Sequence, residues 1–327
     1  MSAPLLELRS FSTHYVSAGG RRVVRAVENV SLTLDAGQTL GIVGESGSGK
    51  TTLALSILRL LPPAARIVSG QIRFEGEDLL AKSNREMRKI RGKRIAMILQ
   101  DPMASLNPLF TVGDQIGEPL RVHEGASRSA AGQRARELLA AVRIPSPASR
   151  ARNYPHEMSG GMRQRVVGAI AIACRPRLLI ADEPTTSLDV TIQAQYLTLL
   201  GELQREQGLA LILITHNLGI VARMCDRVAV MYAGRFVEVG DVRTIFSAPA
   251  HPYTRALLDA IPRLGQGGGR LTAIDGVPPD LAQLPAGCAF APRCPQAIAR
   301  CEVDTPPAFT LEPGHAARCW LAGPEAR

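Results

Sequence analysis

The sequence predicts an α/β fold: a mixed sheet with a parallel core, an antiparallel N-terminal β-subdomain, a helical insertion and a small loop-rich C-terminal extension. Three observations predict it. Short apolar runs alternate with helical periodicity from about residue 39 onward, which is the pattern of a sheet whose core strands run parallel. The segment from about 101 to 176 is mostly helical in pattern. The composition then changes at about Arg263: the last 65 residues hold nine of the 23 prolines and four of the six cysteines.

Each element follows from local pattern. Residues 5–12 and 28–34 alternate apolar and polar, as half-buried antiparallel strands do, with Gly19–Gly20 supplying a turn. TLGIVG at 39–44 is an apolar run that enters a glycine-rich loop, and helical periodicity continues to about Leu61 before Pro62–Pro63 stops it. Strand patterns recur at 70–74, 94–99, 178–182, 210–215 and 227–232, with a helical stretch at 190–206. Ala233–Gly234, between VAVMY and RFVEVG, predicts a hairpin. The tail has weak periodicity and reads as loop-rich, yet its cysteines imply that something pins it.

Charge and hydropathy weigh against several function classes. The net charge is +9, and all of it belongs to the first 262 residues, because acidic and basic residues balance in the tail at six each. Part of the excess lies in Lys82–Arg94, where seven of thirteen residues are Lys or Arg. That tract has no aromatic residue and the chain only 4%. It therefore reads as a solvated face rather than a stacking platform for bases, and no nucleic-acid partner is expected. No apolar run reaches the roughly 18 residues that a membrane span needs. The best, Val166–Cys174, is bracketed by Arg165 and Arg175, and MSAPLLELRS lacks a signal-peptide layout. The chain reads as cytosolic.

The chemistry is carried by a few short motifs. GESGSGKT at Gly44–Thr51 matches the P-loop pattern between a strand and a helix. Gly44, Ser46, Gly47 and Gly49 would let backbone N–H groups converge on phosphate oxygens at the helix start, which continues through Thr52. Lys50 would reach the β- and γ-phosphates of ATP, and the Thr51 hydroxyl would ligate Mg²⁺. LLIADEP at 178–184 is an apolar strand ending in two carboxylates. Asp182 would hold the magnesium through water, and Glu183 would polarise the attacking water. Gln100 and His216 end strands, and Asp189 follows DEPTTSL; these are positions for contacts to magnesium, water and the γ-phosphate, since strand C-termini surround the nucleotide in open α/β sheets. SGGMRQR at Ser159–Arg165 is a second glycine-containing turn in front of a helix, fit to grip another phosphate.

Taken together, GESGSGKT, Gln100, SGGMRQR, LLIADEP, SLD at Ser187–Asp189 and His216 resemble the nucleotide-binding subunit of an ATP-binding cassette (ABC) transporter over about residues 5–262. The resemblance implies domains at 1–262 (cassette) and 263–327 (extension). It implies a dimer with a second ABC ATPase subunit, in which Ser159, Gly160 and Gly161 act on ATP held by the partner's P-loop. It also assigns Tyr15 to stacking on adenine, with Phe11 nearby. SGGMRQR, QDPMASLNP at 100–108 and AHPYTRALLDAIP at 250–262 are similar to dipeptide/oligopeptide importers, which implies two transmembrane permease subunits that contact Asp101–Pro108. It further implies an extracytoplasmic substrate-binding protein acting indirectly and a peripheral location on the cytoplasmic face of the membrane. Nickel or another small solute as cargo, or a soluble ABC ATPase acting on nucleic acid, stay as alternatives.

In the tail, Cys288, Cys294, Cys301 and Cys319 have the spacing C-x5-C-x6-C-x17-C. The tight pair of zinc sites is absent, and a reducing cytosol disfavours disulfides; unliganded thiols stay open. GCAFAPRCPQAIARC…GHAARC is similar to the peptide-importer C-terminal extension, and that resemblance implies a 4Fe-4S cluster on the four thiolates, with zinc as the alternative. Cys174 and Cys225 sit in apolar contexts and read as buried.

Overall fold

The computed structural model describes residues 3–17, 19–101, 105–186, 188–261 and 274–324. They form two compact units, Met1–Leu34 with Thr39–Leu80 and Ile214–Arg327, and Asp35–Gln38 with Ala81–Leu213. The expected boundary at 262/263, Ser187 of the SLD triplet and Pro102–Ala104 lie outside the described residues.

The first unit holds two sheets. β1 (Leu6–Val16), β2 (Val23–Leu34), β4 (Ala65–Phe74) and β5 (Glu77–Asp78) form an antiparallel sheet in the order β2-β1-β4-β5. Leu6, Leu8, Phe11, Ile72 and Phe74 point into its core. These strands run longer than the alternation predicts, because pairing with β1 continues through Val16↔Val23 and Tyr15↔Ala65, where the residues are exposed or half-buried. Backbone pairing, not burial, sets their ends. The second sheet runs β11 (Phe309–Glu312), β12 (His315–Ala317), β10 (Arg235–Asp241), β9 (Arg227–Tyr232), β3 (Thr39–Val43). β3 and β9 are parallel, from Leu40↔Arg227 to Val43↔Val230, and the other pairs are antiparallel. The expected hairpin forms between β9 and β10, with Ala233 (φ 46°) and Gly234 (φ 81°) both left-handed, as a two-residue primed turn requires.

The tail contributes more structure than its composition predicts. β12 pairs with β10 at Glu238↔Ala317 and Val239↔Ala316. Strands of three and four residues carry too few positions for a period to be read. Arg22–Asp280 (2.8 Å) ties the tail to the loop between β1 and β2. Phe290 of the tail is buried in a cluster with Tyr232 and Tyr253, the three rings meeting at 4.5–5.3 Å between centroids.

In the second unit, β6 (Ile95–Ile98) and β7 (Leu178–Asp182) are parallel, Ile95↔Leu178 to Ile98↔Ala181, in the order β8 (Ala210–Ile214), β7, β6. All of β7 and β8 is buried, which explains why β8 and β7 up to Asp182 are apolar throughout. The expected helical segment contains the helices Val112–Glu124, Arg128–Ala141, Pro147–Arg150 and Gly160–Ile172. Thr111 and Ser127 cap the first two, accepting from the N–H of Asp114 and Ala130. The basic tract includes the helix Asn84–Ile90, with Met87 and Ile90 buried while Arg85, Arg88 and Lys89 are exposed. That is a solvated helical face. Among the described residues, no helix is long and apolar enough to cross a membrane.

Candidate nucleotide site

The phosphate-binding loop lies in the first unit. It leaves β3 at Gly44 and enters the helix Lys50–Ile57, which is shorter than the periodicity predicts because Leu58 is its C-cap and Arg59 turns left-handed (φ 52°). Three glycines are required by the backbone: Gly44, Gly47 and Gly49 have φ of 152°, 78° and 105°. At Gly44 a Cβ would also collide with the carbonyl of Met231, and at Gly49 with that of Ala26. Ser46 and Gly47 are exposed at the loop's tip. Lys50 is only 6% exposed; its Nζ donates to the carbonyls of Gly44 and Glu45, both at 2.8 Å. A buried ammonium held over a turn of N–H groups is equipment for an anion with several oxygens. Thr51 is exposed in the first helical turn, and Thr52 beside it lies 3.3 Å from the Tyr15 hydroxyl. Tyr15 is half-buried, whereas Phe11 is fully buried in the core, so only Tyr15 can offer a ring face. His216 is exposed just beyond the end of β8; the Thr215 N–H beside it donates to the Ile42 carbonyl (3.2 Å).

The second unit carries the carboxylates. Asp182 ends β7 and is 1% exposed. Glu183 follows it in a left-handed conformation (φ 44°), a strained position for a residue with a Cβ. Its Oε2 accepts from the Thr186 hydroxyl (2.8 Å) and lies 3.5 Å from Gln100 Nε2. The structure thus brings Gln100 and Glu183 together and adds Thr186, which the sequence reading passed over although it lies within DEPTTS. Asp189 caps the helix Val190–Gln207, its Oδ1 accepting from the N–H of Thr191 and Ile192 (3.1 and 3.0 Å). Its carboxylate has a structural role of its own beside any role toward phosphate.

The SGGMRQR turn opens the helix Gly160–Ile172. Ser159 is the N-cap, accepting from the Met162 N–H (3.4 Å). Ser159 and Gly160 are exposed and Gly161 half-exposed. The two glycines differ in cause. A Cβ on Gly161 would approach Ile192 Cγ2 to 2.8 Å, whereas a Cβ on Gly160 would meet nothing within 4 Å. Among the described residues, nothing crowds a side chain at position 160. Met158, ahead of the turn, is 4% exposed and fills an apolar position.

In the tail, Cys288, Cys294, Cys301 and Cys319 all line one small pocket together with His251, Phe290 and Trp320. Burial pushes the Cys288 thiol up to about 11, and raises those of Cys294 and Cys319. Among the described residues, no group of three or more His, Cys, Asp or Glu is arranged to hold a metal ion. Cys174 is buried and Cys225 half-buried, their thiols raised by desolvation to about 11 and about 12, as inert core cysteines are. Sequence reasoning also missed the contacts around Glu45, which join residues 208 and 248 positions apart and leave no local signal.

Comparison with known proteins gives a consistent picture. Residues 27–186 match the family model described as ABC transporter, and residues 237–301 the one described as Oligopeptide/dipeptide transporter, C-terminal region. The chain is 50% identical to the dipeptide transport ATP-binding protein DppD of Bacillus subtilis, over 97% of this chain and 94% of DppD. It is 49% identical to the oligopeptide transport ATP-binding protein OppD of Salmonella typhimurium, over 97% and 93%. Among solved structures it is similar to the dimeric ATP-binding cassette MJ0796 in a post-hydrolysis state bound to ADP and Pi, with TM-score 0.66 and 27% identity over 73% of this chain and 99% of that one.

Proposed function

The chain belongs to the ABC transporter ATP-binding subunits that carry the oligopeptide/dipeptide transporter C-terminal region, and from that premise we propose that it hydrolyses ATP to energise the import of di- and oligopeptides. The observation that carries this reading is the likeness of about half the residues, over nearly the whole length, to peptide-transport ATP-binding proteins. It covers the cassette and the extension alike.

The residue roles follow from the site chemistry. Lys50 and the N–H groups of the loop through Gly44, Ser46, Gly47 and Gly49 bind the phosphates, and Thr52 and Tyr15 border the nucleotide, Tyr15 presenting its ring to adenine. Thr51, Gln100 and Asp182 offer the hard oxygen donors that suit Mg²⁺. When bound, that ion neutralises charge on the phosphates. Glu183 takes a proton from water, oriented by Thr186 and Gln100, and His216 and Asp189 serve the γ-phosphate end. Ser159, Gly160 and Gly161 act on the nucleotide of a second ATPase subunit, a role supported by the open space at Gly160 and by the dimeric form of the similar cassette. The cassette spans 1–262 and the extension 263–327. The chain sits on the cytoplasmic face of the membrane beneath two permease subunits, loaded from outside by a substrate-binding protein. Leu109 and Phe110, 80% and 54% exposed just beyond Asp101–Pro108, offer apolar surface for a permease.

Glu183→Gln tests the assignment of the base. It keeps the hydrogen-bonding geometry and removes the proton acceptor, so equilibrium ATP binding should persist while phosphate release falls by at least about a hundredfold. Retained turnover would assign the base elsewhere.

The finer reading of the tail is a 4Fe-4S cluster held by Cys288, Cys294, Cys301 and Cys319. It is supported by the four thiols lining one pocket, which must lose their protons to bind metal. Anaerobically purified protein should be brown, with absorption in the visible range and about four irons per chain. A colourless preparation with stoichiometric zinc would replace iron–sulfur with zinc.

A further inference from the structure

Glu45 is the second residue of the phosphate-binding loop, and both its ends are held by residues far along the chain. Its backbone N–H donates to the Tyr253 hydroxyl (3.0 Å). Its carboxylate receives a fork from Arg293 of the extension: Nη1 to Oε2 at 2.7 Å and Nη2 to Oε1 at 3.0 Å. The Arg293 side chain is 5% exposed. Its remaining N–H groups go to the Tyr232 hydroxyl (3.2 Å), the Ile274 carbonyl (3.3 Å) and the Asp275 carbonyl (2.8 Å). All five donors of the guanidinium are therefore used, which fixes its plane as few surface arginines are fixed. A two-pronged pair made by a buried arginine to a half-buried carboxylate differs from an exposed ion pair, whose worth is small.

The location gives the pair a consequence beyond holding the tail. Glu45 follows Gly44 directly, in the loop whose N–H groups and Lys50 are set for anionic oxygens. An uncompensated carboxylate there would repel a triphosphate. Arg293 removes that repulsion and holds the loop residue by its side chain. We infer that Arg293, in the C-terminal extension, is a positioning residue for the nucleotide: it clamps Glu45, sets the shape of the phosphate-binding loop and cancels the loop's negative charge. This rests on the proposed reading of the loop as an ATP site. It makes the extension part of the nucleotide-binding apparatus, though no atom of Arg293 need touch ATP.

The test is isothermal titration of the full-length chain with Mg²⁺ and the non-hydrolysable ATP analogue AMP-PNP, with the unfolding midpoint of each variant measured alongside. Binding by the wild-type chain checks the ATP-site reading itself; if the wild type fails to bind, that reading falls, not merely the role of Arg293. Given wild-type binding, Arg293→Gln should weaken affinity about tenfold. Arg293→Lys, which keeps the charge and loses the fork, should lie between the two. Adding Glu45→Gln to Arg293→Gln should recover much of the lost affinity, because the bare carboxylate is gone. Arg22→Gln, which breaks a different tie to the tail, at Asp280, should bind as the wild type does. Wild-type affinity in both Arg293 variants would overturn the inference. So would equal weakening in Arg22→Gln, or a double variant as weak as Arg293→Gln; either would reduce Arg293 to a fastener of the tail.

Discussion

At the scale of single residues, several tightly constrained groups support the nucleotide loop. His251 is one. It is 1% exposed, and its Nδ1 accepts the Tyr253 N–H at 3.0 Å, so the imidazole is neutral there. Burial first, with Arg255 adding to it and Glu238 opposing, pushes its pKa down from 6.5 to about 4. The unfolded chain then takes up a proton between pH 6.5 and 4 that the folded chain refuses. Stability from this group is complete above about pH 6.5 and declines as the pH falls toward 4, by at most about 3 kcal/mol. Chemical denaturation at pH 7.5 and pH 5 should show the decline in the wild type and a shallower one in His251→Asn. Parallel slopes would mean that another group titrates. Glu183 illustrates the limit of sequence at this scale: its identity was readable from LLIADEP, but its left-handed backbone and its bond to Thr186 depend on how β7 ends.

At the scale of elements, what was readable was whatever repeats locally. β3, β7 and β8 are continuous apolar runs, and the helix Val190–Gln207 differs from its predicted span by one residue, ending at Gly208 with φ 60°. What was unreadable was whatever depends on a distant partner. The extra length of β1, β2 and β4, and the strands β11 and β12, exist because another strand is there to pair with. The SGGMRQR helix shows both cases in adjacent residues. Gly161→Ala would press on the Cγ2 branch methyl of Ile192 and should cost about 1 kcal/mol of stability. Gly160→Ala meets open space and should leave stability unchanged or raised by up to about 1 kcal/mol, since Ala favours helix over Gly. Yet Gly160→Ala should sharply lower ATP turnover if, as proposed, the turn closes on the nucleotide of a second subunit. Thermal unfolding and phosphate release measured on the same two variants check this. Full turnover in Gly160→Ala would remove the turn from the reaction.

At the scale of the whole molecule, the extension is the part that composition misjudged most. Proline and glycine made it look loose, but Arg293, Phe290 and β12 bind it to the rest of the first unit, in part by contacts that span most of the chain. Its cysteines gather at one pocket, and its arginine reaches the phosphate-binding loop. The central claim, an ATPase coupled to peptide import, is tested most directly with the chain reconstituted in proteoliposomes together with its ATPase partner, its permease subunits and the substrate-binding protein. ATP hydrolysis should rise when the binding protein carries a di- or oligopeptide, labelled peptide should cross the membrane, and Glu183→Gln should abolish both. Hydrolysis and uptake indifferent to peptide, or equal in wild type and Glu183→Gln, would contradict the account.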